Sequence, residues 1–242
     1  MPSKPQSPPQ AAPTTPRNTA RAAARTPGRP RMPFDRILLA ALEIVDEQGA
    51  DALTLRALAQ RLGSSTATLY RHVDNRADLL AHVVERVLGE VVLDEELLAT
   101  AEWATACGHL ATSLFDAIAR HPNAAPLLSA AVPTGPHAMA FRERCLAILL
   151  AHGFTPANAR TLTAALARFV VGFALQLGGS TEQQDADRTA GDRLRHADPA
   201  HYPAISRTAA EATVPLTEEF ALGLDLLLRG MRDLEAEHCE DR

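Results

Sequence analysis

The stretch 53–80, LTLRALAQRLGSSTATLYRHVDNRADLL, constrains the fold more than any other part of the chain. Thr54 is placed to cap a helix, its hydroxyl accepting a free amide of the first turn. Leu55, Leu58, Ala59 and Leu62 then follow at helical spacing and give the helix one apolar face. Gly63 ends it, because a left-handed backbone carries no Cβ penalty there. Ser64 or Ser65 caps a second, short helix whose Leu69 and Val73, four residues apart, point inward. Ser65, Thr66, Thr68, Arg71 and His72 are left facing outward as small polar or basic groups. Asp74 or Asn75 stops this helix and caps another that starts at Arg76 or Ala77.

Two helices joined by a tight glycine turn, the second short and polar outside, describe a helix-turn-helix. Such a second helix fits the major groove of duplex DNA with its first residues at the base edges. Turn and periodicity alone also fit an ordinary helical hairpin in a protein core. The residues separate the two readings. LTLRALAQRLG followed by TLYRHVDNRADLL contains T-x-R-x-L-A-x-x-L-G and T-L-Y-x-H-V-x-N-[KR]-x-x-L-L, and from about Arg36 to Leu88 it resembles the DNA-binding domain of the tetracycline-repressor (TetR) family of bacterial regulators.

The resemblance carries contact roles where residues match. Arg56 stands where the family often places an arginine on a guanine, whose two major-groove acceptors suit the guanidinium fork. Thr54, Tyr70 and His72 match positions that touch the DNA backbone, and Arg76 replaces a lysine there. Thr66, Ala67 and Arg71 match positions that set operator sequence, the Ala67 methyl being suited to a thymine methyl. Ser65 and Thr68 complete the expected DNA face. Competing roles are support of the helix for Tyr70, and a backbone hydrogen bond for His72.

The net charge of −5 argues against a DNA binder until the chain is divided. Residues 1–33 hold Lys4, Arg17, Arg21, Arg25, Arg29 and Arg31 with no acidic residue, so they carry +6 and the remainder −11. Cation is thus concentrated near the expected DNA face. The same segment holds nine of the seventeen prolines, cannot bury enough surface to order itself, and is expected to be a disordered basic arm without the apolar centre of a signal peptide. Thr26–Arg31, TPGRPR, resembles the Gly-Arg-Pro core of AT-hook arms. Arg29 and Arg31 are therefore candidates for a narrow minor groove, the alternative being non-specific phosphate attraction.

Helix 1 is expected over Phe34–Gln48, with Ile37, Ala41, Ile44 and Val45 inward and Arg36 either on phosphate or solvated. Residues 34–80 form the DNA-binding domain, and a fourth helix over 76–93 leads to a larger domain at 81–242. In the family this helix joins the domains and changes tilt when ligand binds. Aromatic residues are only 4% while alanine and leucine abound, which favours an all-α fold. Further helices are expected at 101–120, 124–131, 136–152, 156–177 and 217–237. The polar segment 178–200 reads as a mobile connection, followed by a short helix at 203–211.

The last helix, EFALGLDLLLRGMRDL, resembles a C-terminal-domain subgroup close to the tetracycline repressor, with Phe220, Leu224, Leu227 and Leu228 as its buried stripe. It and 156–177 are candidates for a four-helix homodimer interface, against an intramolecular core. Paired subunits suit a palindromic double-stranded operator. A small hydrophobic effector is expected in an apolar pocket lined by Trp103, Phe115, Phe141, Phe169, Phe173 and Gln176, each of which also fits plain core. The family's magnesium-tetracycline ligands do not carry over, since Val92 aligns with the pocket histidine.

No G-x-S-x-G, G-x-G-x-x-G, P-loop or H-E-x-x-H is present, which argues against an enzyme, a metal or a cofactor. Cys107, Cys145 and Cys239 form neither a disulfide framework nor a C-x-x-C pattern, so a reducing cytoplasm is expected. No apolar run reaches the ~18 residues of a membrane span. The chain is thus expected to be an all-α repressor released by ligand. A DNA-binding regulator without a ligand is the alternative, marked by a filled interior instead of a void.

Overall fold

Capping side chains and one glycine set the geometry of the first four helices. The computed structural model describes residues 32–178, 181–209 and 214–240, with side chains for all but 181–184, 187 and 233–240. The basic arm, with Arg29 and Arg31, lies outside the described residues.

Helix α1 (Phe34–Gln48) buries Ile37, Ala41, Ile44 and Val45 and ends at Gly49. After a 3-10 turn at Ala50–Ala52, α2 (Leu55–Arg61) opens on Thr54, whose Oγ1 accepts from the Ala57 amide at 3.0 Å. It closes with Gly63 at φ +59°, the Gly63 amide donating to Gln60 and the Ser64 amide to Ala59. This pair of bonds satisfies carbonyls that the helix end would otherwise orphan, and it needs the left-handed backbone that glycine adopts freely. Helix α3 (Thr66–Leu69) opens on Ser65, which accepts from the Thr68 amide, and Tyr70–His72 continue it as turns. Leu58 and Leu69 are fully buried and Val73 nearly so. Each such side chain contributes about 1.5–3 kcal/mol, so burial of this inner face sets the α2–α3 angle.

Helix α4 (Arg76–Leu88) opens on Asn75, which accepts from the Asp78 amide at 3.0 Å. It is shorter than the expected span to 93. Gly89 caps it, and the Glu90 and Val91 amides turn back to Val87 and Leu88, closing the helix before the Val91–Val92 pair.

The larger part comprises α5 (Glu95–Thr100), α6 (Trp103–Ala119), α7 (Ala125–Ala130), α8 (Pro136–Ala151), α9 (Pro156–Ala174), α10 (Thr181–Arg195), α11 (Pro203–Thr208) and α12 (Leu216–Glu240). Helix α5 was not expected; Asp94 caps it, accepting from Leu97 at 3.0 Å. The expected connection over 178–200 is corrected, since α10 occupies most of it. Glu182, Gln183, Gln184, Arg188, Arg193 and Arg195 are polar but good helix formers, and Arg188–Asp185 and Arg195–Asp192 pair along its surface.

Helices α6, α8 and α9 pack on one another, and α12 lies across α6 and α9. Phe220 of α12 stacks on Phe115 at 4.2 Å between centroids and lies 5.4 Å from Phe169 and 5.6 Å from Phe173. Phe220 and Leu224 are buried as expected, Leu227 and Leu228 are half-buried, and Met231 joins them at 2% exposure. Every regular element among the described residues is helical, and none of these helices is long and apolar enough to cross a membrane.

Candidate nucleic-acid interface and internal cavity

The α2–α3 unit turns one side to solvent. Thr54, Arg56, Ser65, Thr66, Ala67, Tyr70 and Arg71 are exposed, and Thr68 is half-buried. Among the described residues neither Arg56 nor Arg71 meets a carboxylate, whereas Arg61 beside them is held by Glu43 and Glu47. The two unpaired guanidiniums therefore keep their donors for an acceptor outside the chain. Tyr70 is 58% exposed and does not serve as a prop beneath the helix. His72 is half-buried, its ring stacked on Phe34 at 5.8 Å, and His82 meets the same Phe34 ring edge-on. The start of α1 thereby holds the end of the recognition turn.

Arg76, expected to touch the DNA backbone, also makes hydrogen bonds within the chain. Its Nε donates to the Leu53 carbonyl and a terminal nitrogen to the Ala50 carbonyl, both at 2.7 Å. One carbonyl of the 3-10 turn and that of Leu53 just after it take these donors, so the side chain fastens α4 to the α1–α2 connection.

Two polar links join this unit to the rest of the chain. In the first, His121 lies between α1 and the end of α4. Its Nδ1 is 2.8 Å from Asp46 Oδ2 and its Nε2 is 3.0 Å from Glu90 Oε2, while Asn123 donates to the Asp46 carbonyl at 2.8 Å. Burial pushes the Glu90 carboxyl up, but the His121 hydrogen bond and charge, with Arg120 and Arg86 nearby, outweigh it and hold the carboxyl below its ordinary value. In the second link, Glu85 of α4 reaches the first turn of α8, accepting from the amides of His137 at 2.8 Å and Ala138 at 3.3 Å. A carboxylate at a helix N-terminus satisfies free amides and suits the helix dipole.

Behind α4 lies a cavity of about 710 Å³ between α6, α7, α8 and α9. Buried Cys107, Leu110, Leu114, Cys145, Leu166 and Val170 form its floor, and exposed Val132, Arg160, Arg168 and Leu175 mark its mouth. Leu88, the last residue of α4, is on its wall, and so is Ala138, which donates to Glu85. The volume lies within the range of small-molecule sites. Burial pushes the Cys107 and Cys145 thiols up to about 12, so they line the wall as neutral groups.

Of the expected liners only Phe141 is on this wall. Phe115, Phe169 and Phe173 turn the other way and enclose Phe220. Trp103 meets Phe154 edge-on at 4.9 Å with Arg232 over its ring, and Gln176 is exposed beyond α9. For the four aromatic residues the reason is shared: α6 and α9 each have two apolar faces, and the aromatic one is taken by α12 or its neighbours, while Gln176 lies past the last turn of α9. Sequence reading missed Leu88, Arg142, Arg160, Thr163 and Arg168. A signal was present in α9, where Arg160, Ala164, Ala167, Arg168 and Val171 recur at the spacing of one helical face.

Comparison with known proteins gives a consistent picture. The family described as bacterial regulatory proteins, tetR family, matches residues 37–83, and the tetracyclin repressor-like C-terminal domain matches 97–234. An HTH-type transcriptional regulator of Saccharopolyspora erythraea is 31% identical over 84% of this chain and 86% of its own length. The HTH-type transcriptional repressor DrrR1 of Streptomyces coeruleorubidus is 27% identical over 86% and 80%. The crystal structure of the Streptomyces coelicolor protein ActR in complex with actinorhodin superposes with a TM-score of 0.72 at 30% identity, covering 84% of this chain and 96% of that one.

Proposed function

Because the chain belongs to the TetR family of bacterial transcriptional regulators, we propose that it is a repressor that a small molecule releases from a two-half-site operator. Residues 34–80 bind DNA, and residues 81–242 hold the effector and the partner subunit. The expected DNA contacts at Thr54, Arg56, Ser65, Thr66, Ala67, Thr68, Tyr70, Arg71 and His72 lie on or beside the exposed side of α2 and α3. The relatives are regulators, so the activity is DNA binding and not catalysis.

One observation carries ligand control: the wall of the cavity includes Leu88, the end of the helix that begins beside the recognition unit. A molecule in the cavity presses on Leu88 directly and on Glu85 through Ala138 and the start of α8. Helix α4 then tilts as a rod and carries α2–α3 with it. A DNA-bound dimer needs its two recognition helices about 34–36 Å apart, so a shift of a few ångströms removes one half-site. The solved ActR complex with actinorhodin is consistent with such a cavity accepting an organic ligand. The reading without a ligand requires a filled interior, which the cavity argues against.

The homodimer is supported by the outer side of α12. Phe220, Leu224 and Met231 face the core, yet Leu222 and Leu226 are 62% and 58% exposed on the opposite side. Helix α12 packs on α9, so the two form a pair. Two such pairs of helices, related by a twofold axis, bury these leucines and duplicate the DNA face. The cytoplasm, where DNA is reached directly, is the corresponding location.

In vitro selection from a random duplex library tests the reading. The protein should enrich an inverted repeat, and Thr66→Glu should abolish enrichment through repulsion from phosphate. Failure of the unaltered protein to enrich any duplex would overturn it.

A further inference from the structure

We infer that the cavity takes an anionic amphipathic effector, an apolar body carrying a carboxylate or sulfonate-like group at the mouth. This rests on the reading of the cavity as the effector site. Arg142, Arg160 and Arg168 are on the wall, and no aspartate or glutamate is. Among the described residues none of the three guanidiniums meets a carboxylate, whereas Arg120, Arg144, Arg229 and Arg232 on adjoining elements are each matched to one. Arg142 is held in place by the Pro133 carbonyl at 3.3 Å, which leaves further donors of its fork for a ligand.

A second observation points the same way from inside. Thr163 is 9% exposed, its Oγ1 has no hydrogen-bond partner, and it is on the cavity wall between the arginines of α9. A buried hydroxyl without a partner is costly, and a ligand oxygen at this point relieves it. The floor offers only apolar side chains and two neutral thiols. The ligand that satisfies every part has an apolar body against Leu110, Leu114 and Phe141, an oxygen at Thr163 and its negative charge toward the arginines.

Two fluorescent probes with the same aromatic body test this on the full chain: 1-anilinonaphthalene-8-sulfonate, which carries the anion, and neutral N-phenyl-1-naphthylamine. Both should bind at one site per chain, and both should be lost from Ala164→Phe, which fills the cavity. The anion should bind about tenfold tighter, equivalent to one weak hydrogen bond to a charged group, and its advantage should shrink with salt. In the combined Arg142→Gln, Arg160→Gln and Arg168→Gln variant the anion should fall to the neutral probe's affinity while the neutral probe is unchanged. Thermal melts confirm that the variants fold. Equal affinities in the unaltered protein, or an anion preference that survives the triple substitution, would overturn the proposal and leave the cavity as effector site. Binding of neither probe, or binding that Ala164→Phe does not disturb, would overturn both.

Discussion

Glu85 caps the helix whose second residue is His137. Its Oε2 accepts the His137 amide at 2.8 Å, and Gly135 makes room for it: a Cβ there would lie 2.2 Å from Glu85 Cδ. The helix joined to the DNA face and the helix lining the cavity are thus tied end to side.

Glu85→Ala should lower unfolding free energy by about 1–2 kcal/mol, the usual cost of a lost helix cap bonded through a charge. Gly135→Ala should destabilise as well, because its methyl displaces the same carboxylate. Denaturant titration of both single variants and the double variant checks this. The double variant should cost clearly less than the sum, since the second change finds the link already broken. Additive costs would mean the two residues do not act through one contact.

Arg56 is exposed and without a carboxylate among the described residues. Arg56→Ala should weaken binding to the selected duplex by roughly 1–3 kcal/mol and relax the preference at one position of each half-site. Repeating the selection with the variant distinguishes the outcomes. Uniform weakening with an unchanged consensus would assign Arg56 to phosphate.

The Glu90 carboxyl is held below its ordinary value in the folded chain, although burial alone would raise it. The folded state therefore binds fewer protons than the unfolded one. The resulting stability is fully present above the unfolded value of about 4.3 and is lost as pH falls through the lower folded value. Melting temperature should fall between pH 5 and pH 3 more steeply in the unaltered protein than in Glu90→Gln. Parallel curves would show that Glu90 contributes nothing to acid sensitivity.

The DNA face was legible because its determinants are local. Thr54, Gly63, Ser65 and Asn75 act within four residues of themselves, and Leu58, Leu69 and Val73 fall on one side by spacing alone. The internal bonds of Arg76 escaped because its partners, the carbonyls of Ala50 and Leu53, lie more than twenty residues away. The cavity was legible in its existence but not in its lining. Periodicity marks Phe115, Phe169 and Phe173 as buried, yet only the placement of Phe220 decides that they face α12. Helix α10 was missed because its composition is polar, although Glu182, Gln183, Arg188 and Ala190 are good helix formers.

The central claim is that Thr66–His72, presented twice by a symmetric pair, enters the major groove. Guanine N7 lies in that groove, so methylation interference on the selected duplex measures the claim directly. The account predicts two patches where N7 methylation blocks binding, their centres about 10–10.5 base pairs apart across a dyad. A single patch, or binding indifferent to N7 methylation, would contradict it.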